Sequence, residues 1–179
     1  MSVVVAIKEN DKVYLGGDSF IGSGWTHRTL TNKHNQKIFK AYDNKDIMIG
    51  FVGRFREANI ISTTEKWINK LTILENKVNF KTIARDVVKK IFKELKDNGR
   101  YIQVDKEDWT WDSEILFIYK NDVYQISSDG CVQVIDDYIA IGAGKELALG
   151  YLHQSEGEDP KERIVKAIDI QQLKQVILY

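Results

Sequence analysis

The chain opens on an almost unbroken apolar run, Ser2-Val-Val-Val-Ala-Ile7. Polar residues Lys8 to Lys12 follow, and apolar character resumes at Val13-Tyr-Leu15 before Gly16-Gly17-Asp18. A run without alternation predicts a strand buried on both faces, and the polar interruption predicts a hairpin. Ser19 to Gln36 is polar and glycine-containing, and a strand and loop of low regularity are expected there. Two short strands are expected at Lys37 to Ala41 and Ile47 to Val52.

Helical spacing then takes over. Arg56 to Leu71 puts Ala58, Ile61, Trp67 and Leu71 near one face, which predicts an amphipathic helix. After Asn79 the period is stronger: Phe80, Ile83, Ala84, Val87, Val88, Ile91, Phe92 and Leu95 recur at helical intervals. Asn79 suits the N-cap and Asn98-Gly99 the stop. Strands return at Glu114 to Tyr119 and Asp122 to Ile126 across a Lys120-Asn121 turn, then at Val132 to Ile141 with a break at Asp136-Asp137. A helix is expected from Gly144 to about His153, and another from Asp159-Pro160-Lys161-Glu162, where N-cap, first-position Pro and third-position Glu agree. A last strand follows it. Two helix pairs covering two sheets from outside predict an α+β protein built as a layered sandwich.

Length and composition narrow the class of function. A chain of 179 residues fits one domain, residues 1–179, with a core that needs neither disulfide nor metal. Lys+Arg and Asp+Glu are equal at 26 each, so no basic footprint for nucleic acid or an anionic membrane is expected. No apolar run reaches the roughly 20 residues that span a bilayer, and no secretory leader pattern opens the chain. The single Cys131 has no internal partner, which predicts a reducing, cytoplasmic setting and a small buried side chain. His27, His34 and His153 show no metal-ligand spacing, so neither metal nor cofactor is expected. The Trp109-Thr-Trp111 pair is expected to cap a sheet or a subunit contact.

Four blocks, in order, carry a resemblance. They are Ser2-Val-Val-Val-Ala with its Gly16-Gly17-Asp18-Ser19 turn, and Gln36-Lys37-Ile38-Phe39. Next comes Ile49-Gly50-Phe51-Val52-Gly53 followed by Glu57-Ala58, and last Ile126-Ser127-Ser128-Asp129-Gly130 with Ile139-Ala140-Ile141-Gly142-Ala143-Gly144. The chain resembles the proteasome β-subunit family of N-terminal nucleophile hydrolases, most closely its bacterial ring peptidase that works beside an ATPase. The resemblance runs from Ser2 to about Ile170 and implies a four-layer αββα sandwich.

It also implies a site. In that family a hydroxyl nucleophile is activated by its own α-amine, freed when everything before it is removed. Carried over, Ser2 is the nucleophile once Met1 is gone, Lys37 the lysine that lowers the amine's pKa, and Asp18 the lysine's partner. Gly53 supplies an oxyanion-hole amide, and Ser127 or Ser128 bonds the terminal amine. Phe51 and Phe55 flank Gly53 and would line an apolar pocket for the substrate side chain. The family's usual nucleophile is threonine; serine lacks the methyl group that restricts its rotamers.

The activity the resemblance implies is a threonine-type-family endopeptidase. It would act on peptides or unfolded proteins as a subunit of a homo-oligomeric, self-compartmentalising ring, with a ring ATPase as the partner the family allows. Two alternatives stand beside it: an inactive ring subunit or scaffold, and an amide hydrolase of the same fold acting on a small molecule.

Overall fold

Side-chain alternation explains the unbroken hydrophobicity of the first strand. In a computed structural model describing residues 2–23, 26–29, 36–41, 43–99, 103–105 and 108–173, β1 (Val4–Glu9) pairs with β2 (Lys12–Gly17) through a tight turn. Asn10 and Asp11 both take positive φ, the geometry that suits a two-residue hairpin. Val3, Val5 and Ile7 point one way, towards α4 (Lys145–Gln154) and α5 (Pro160–Leu173), where they meet Ala148, Leu152, Ile164 and Ala167. Val4 and Ala6 point the other way, against a second sheet at Leu116, Ile118 and Val123. Every β1 side chain from Val4 to Ile7 is therefore buried, and burial of each valine or isoleucine among them stabilises the fold by about 1.5–3 kcal/mol.

That second sheet is five-stranded. Its order is β11 (Val132–Ile135), β10 (Asp122–Ile126), β9 (Glu114–Tyr119), β6 (Ile47–Val52) and β5 (Ile38–Lys40). The first sheet is β12 (Tyr138–Ile141), β1 and β2. On the outer face of the five-stranded sheet, Ile47, Ile49, Phe51, Ile115 and Phe117 pack against α1 (Phe55–Thr63) and α3 (Val88–Asp97). The layers thus run helix, sheet, sheet, helix, and the protein is an α+β sandwich of the αββα type. Two short hairpins lie outside these sheets, β3 (Phe20–Ser23) with β4 (Thr26–Thr29), and β7 (Gln103–Asp105) with β8 (Asp108–Thr110).

Several expectations need correction. The helix expected over Arg56 to Leu71 is two: α1 stops at Thr63, and α2 covers Lys70–Leu74. The hydroxyls of Thr63 and Thr64 bond back to carbonyls of Asn59 and Ile60, and Thr64 turns extended, which lets Trp67 and Ile68 fold inward. The helix after Asn79 has its expected cap, with Asn79 and Thr82 bonding reciprocally. A π-helical stretch, Thr82–Val87, then shifts the phase and leaves Phe80 half exposed. The strand expected at Val132 to Ile141 is two strands in different sheets; at Asp136-Asp137 the chain crosses between them. Cys131 is exposed rather than buried, because it lies in the turn between β10 and β11. Trp111 is core, edge-on to Phe92, with its indole N–H donating to Ser113 O. The expected last strand, His34 and Met1 lie outside the described residues.

Among the described residues no helix is long and apolar enough to cross a membrane, and no three His, Cys, Asp or Glu side chains are grouped to hold a metal.

Candidate active site

The β1–β2 ladder ends at one edge of the sandwich, and its last residues build a polar cluster. Asp18 N–H donates to Val3 O at 3.2 Å, extending the ladder by one step. The Asp18 carboxylate turns back under the strand, where Oδ1 accepts Val3 N–H at 2.5 Å and Oδ2 accepts Phe20 N–H at 2.9 Å. The same Oδ2 is 2.6 Å from Lys37 Nζ. Lys37 sits just before β5, tied to β6 by Phe51 N–H donating to its carbonyl at 2.8 Å. Its ammonium donates a second bond to Ser2 Oγ at 2.9 Å. Ser2, Asp18 and Lys37, spread over 35 positions of sequence, thus meet at one point.

Burial sets the electrostatics of this point. The Lys37 and Asp18 side chains are only 9% and 4% exposed. Loss of water lowers the Lys37 pKa below its ordinary 10.5, and the hydrogen bond and charge of Asp18 oppose that shift without cancelling it. A hydroxyl that accepts from an ammonium keeps its own proton aimed elsewhere, and the developing alkoxide is stabilised by the same donor. Beside the cluster a cleft of about 220 Å³ opens between Gly17, Asp18, Ser19, Gln36, Lys37 and Ile38.

A second group closes on Ser2 from β12. Gly144 N–H donates to Ser2 O at 3.2 Å, and Gly142 N–H donates to Glu114 Oε2 at 2.9 Å. Gly142 has φ +98°, and a methyl group there would lie 2.5 Å from Ser2 O, so glycine is required for this approach. Between these two glycines stands Ala143, so the turn that touches Ser2 carries no side-chain hydroxyl.

Gly53 follows β6 at φ +148°, and a methyl group there would lie 2.1 Å from Ser113 Oγ. The backbone of this residue is thus wedged against Ser113. Arg54 N–H donates to Ser113 Oγ at 3.2 Å, and the Ser113 hydroxyl in turn donates to Oε2 of Glu57, which is fully buried.

Other expected site residues fall elsewhere. Ser127 and Ser128 follow β10, where Ser127 N–H bonds Cys131 O and Ser128 O accepts Trp111 N–H. Strand register places Lys37, Phe51, Ile115 and Ile126 in one row across four strands. Ser127 is therefore about three strand spacings, roughly 14 Å, from the backbone of Lys37. The structure does not bring either serine to the cluster. Phe51 is 3% exposed and points into the helix-facing core rather than a pocket. Phe55, at 37% exposure on the first turn of α1, is the one of the pair that reaches the surface beside Gly53.

Sequence reasoning missed Glu114, Ser113, Glu57 and the contact role of the Gly142–Gly144 turn. For Glu57 a signal existed: it stands three and four positions before Ile60 and Ile61, on the apolar face of α1. Glu114 carried none, since an acid opening a strand is ordinarily solvated.

Comparison with known proteins agrees with this architecture. The family model described as proteasome subunit matches residues 2–177. Among solved structures, eukaryotic HslV from Trypanosoma brucei superposes with a TM-score of 0.65 at 22% identity, over 94% of this chain and 88% of that one. A protein of Thiobacillus denitrificans, BPH, solved in complex with epoxomicin, gives a TM-score of 0.60 at 18% identity, over 93% and 88%. No curated protein matches the sequence.

Proposed function

The chain belongs to the proteasome subunit family, and on that premise we propose that it is an N-terminal nucleophile hydrolase, a peptidase with Ser2 as its nucleophile. The observation that carries this reading is the Lys37 ammonium, held by Asp18 and bonded to Ser2 Oγ. Once Met1 is removed, the Ser2 α-amine becomes the base. An unperturbed α-amine has a pKa of about 8, and the nearby ammonium lowers it, so the amine is free to take the hydroxyl proton near neutral pH. Ser2 Oγ then attacks a peptide carbonyl, the Gly53 amide stabilises the oxyanion, and the amine returns the proton to the leaving nitrogen. Water, activated by the same amine, releases the acyl group.

The proposed substrates are peptides or unfolded protein segments, and the proposed working form is a closed homo-oligomeric ring that excludes folded proteins. Leu71 and Leu74 on α2 are 64% and 70% exposed, apolar surface of the kind a subunit contact covers. A ring ATPase feeding the chamber and a cytoplasmic setting complete this reading.

Intact-mass measurement on protein purified from its own host tests it. Loss of Met1 with no further trimming is expected, whereas quantitative retention of Met1 leaves Ser2 without a base and defeats the proposal. Size exclusion should give a large multiple of the 20.7 kDa chain; a stable monomer would remove the ring. One observation favours the reading as a non-catalytic ring subunit: Ala143 offers no hydroxyl at the turn that touches Ser2. A wild-type assembly that hydrolyses no peptide and takes no covalent label at Ser2 would decide for it.

A further inference from the structure

Glu57 is a fully buried carboxylate that the mechanism above does not use. Its Oε2 accepts the Ser113 hydroxyl proton, and its Oε1 accepts Asp112 N–H at 3.4 Å. With its proton committed to Glu57, Ser113 Oγ must present a lone pair to its other neighbour, Arg54 N–H, at 3.2 Å. That bond fixes the Gly53–Arg54 peptide, and through the Gly53 backbone angles it restrains the neighbouring Val52–Gly53 peptide, which carries the Gly53 N–H. Ser113 is itself fixed, because Trp111 Nε1–H donates to its carbonyl at 2.7 Å and its side chain abuts the Gly53 Cα. The Gly53 backbone, at a φ that side-chain-bearing residues rarely adopt, is thus clamped by hydrogen bonds that link it through Ser113 to Glu57.

We propose that Glu57 and Ser113 are positioning residues that aim the Gly53 amide at the oxyanion, Glu57 acting through the Ser113 hydroxyl. This inference rests on the reading of Gly53 as an oxyanion donor, and it assigns the pair a role separate from the Ser2–Lys37–Asp18 cluster. An amide misplaced by even a fraction of an ångström binds the ground-state carbonyl nearly as well but stabilises the tetrahedral oxyanion less. The loss therefore falls on kcat rather than KM.

The test uses the full-length assembled protein and a blocked peptide with a fluorogenic amide leaving group. Ser113→Ala and Glu57→Ala should each lower kcat by about 10-fold or more, with KM within about 3-fold. Glu57→Gln, whose side-chain carbonyl still accepts the Ser113 hydroxyl, should stay within about 3-fold of the wild type. Unchanged kcat in Ser113→Ala, or Glu57→Gln as impaired as Glu57→Ala, overturns the proposal. Ser113→Ala removes a single oxygen and carries the test should Glu57→Ala fail to fold. If the wild-type protein turns over no peptide, the catalytic reading fails on its own, and hydrogen exchange decides the clamp. Faster exchange at Gly53 and Arg54 in Ser113→Ala, with β1 unchanged, supports it; unchanged exchange there overturns it.

Discussion

Asp18 and Glu57 are both carboxylates folded into the protein, 8% and 0% exposed as whole residues, yet they organise different kinds of neighbour. Asp18 accepts two backbone N–H groups and pairs with the Lys37 ammonium, so its main effect is to hold a charge in place beside Ser2. Glu57 accepts a serine hydroxyl and a backbone amide, so its effect is on the direction of hydrogen bonds around Gly53. Similar burial thus serves two ends. On the proposed reading, one carboxylate sets the electrostatics of the nucleophile, and the other sets the shape of the backbone at Gly53. The two should part company when charge is removed and shape is kept.

The largest effect is expected for Lys37→Met. It removes the donor to Ser2 and strands Asp18, so peptide hydrolysis should fall by at least about 100-fold and stability by about 3 kcal/mol. The same variant has a pH signature. Burial lowers the folded-state pKa of Lys37 below 10.5, so the unfolded chain binds the extra proton. This lysine's penalty is full below its depressed pKa and vanishes above the unfolded value of 10.5, so its contribution to stability rises with pH across that window. Chemical denaturation over that range should show the rise in wild type and its loss in Lys37→Met.

Gly53→Ala comes next. A methyl group 2.1 Å from Ser113 Oγ must push the strand end apart, at a cost of about 1–3 kcal/mol, with hydrolysis reduced about as far as when an oxyanion donor is deleted. The contrast between the carboxylates follows from paired neutral isosteres measured side by side. Asp18→Asn should abolish most of the activity, because the ammonium loses its counter-charge, while Glu57→Gln should keep it. Equal loss in both would erase the distinction drawn here. The smallest effect is expected for Ser127→Ala and Ser128→Ala, which should leave the kinetics unchanged within error. A specific loss in either would contradict their placement three strands from Lys37.

What the sequence disclosed and what it hid follow from the range of the interactions involved. Alternation and helical period are local, so β1, β6, β9 and α3 were legible from their apolar residues, and the caps at Asn79 and Asp159 from short-range hydrogen bonding. The break at Thr64 was hidden, because threonine hydroxyls competing for helix carbonyls leave the apolar spacing intact. Ser2, Asp18 and Lys37 were found through a resemblance between short blocks rather than through any periodicity, and the structure brings these three together. Ser127 and Ser128 were misplaced because a serine–glycine turn after one strand looks like another, and only strand register tells which turn reaches Ser2. The turn that does so, Gly142–Gly144, lies in the other sheet's connection. Phe51 was assigned to a pocket by its proximity to Gly53 in sequence, but strand alternation directs it to the opposite core.

The central claim is that Ser2 carries both the nucleophile and its base. A peptide epoxyketone probes both together, since it closes its ring only on a residue offering a hydroxyl and a free α-amine. Peptide mapping by mass spectrometry after treatment of the native assembly should find the adduct on a fragment beginning at Ser2, and none in Ser2→Ala. An unmodified terminus that still carries Met1, at saturating probe, would contradict the account.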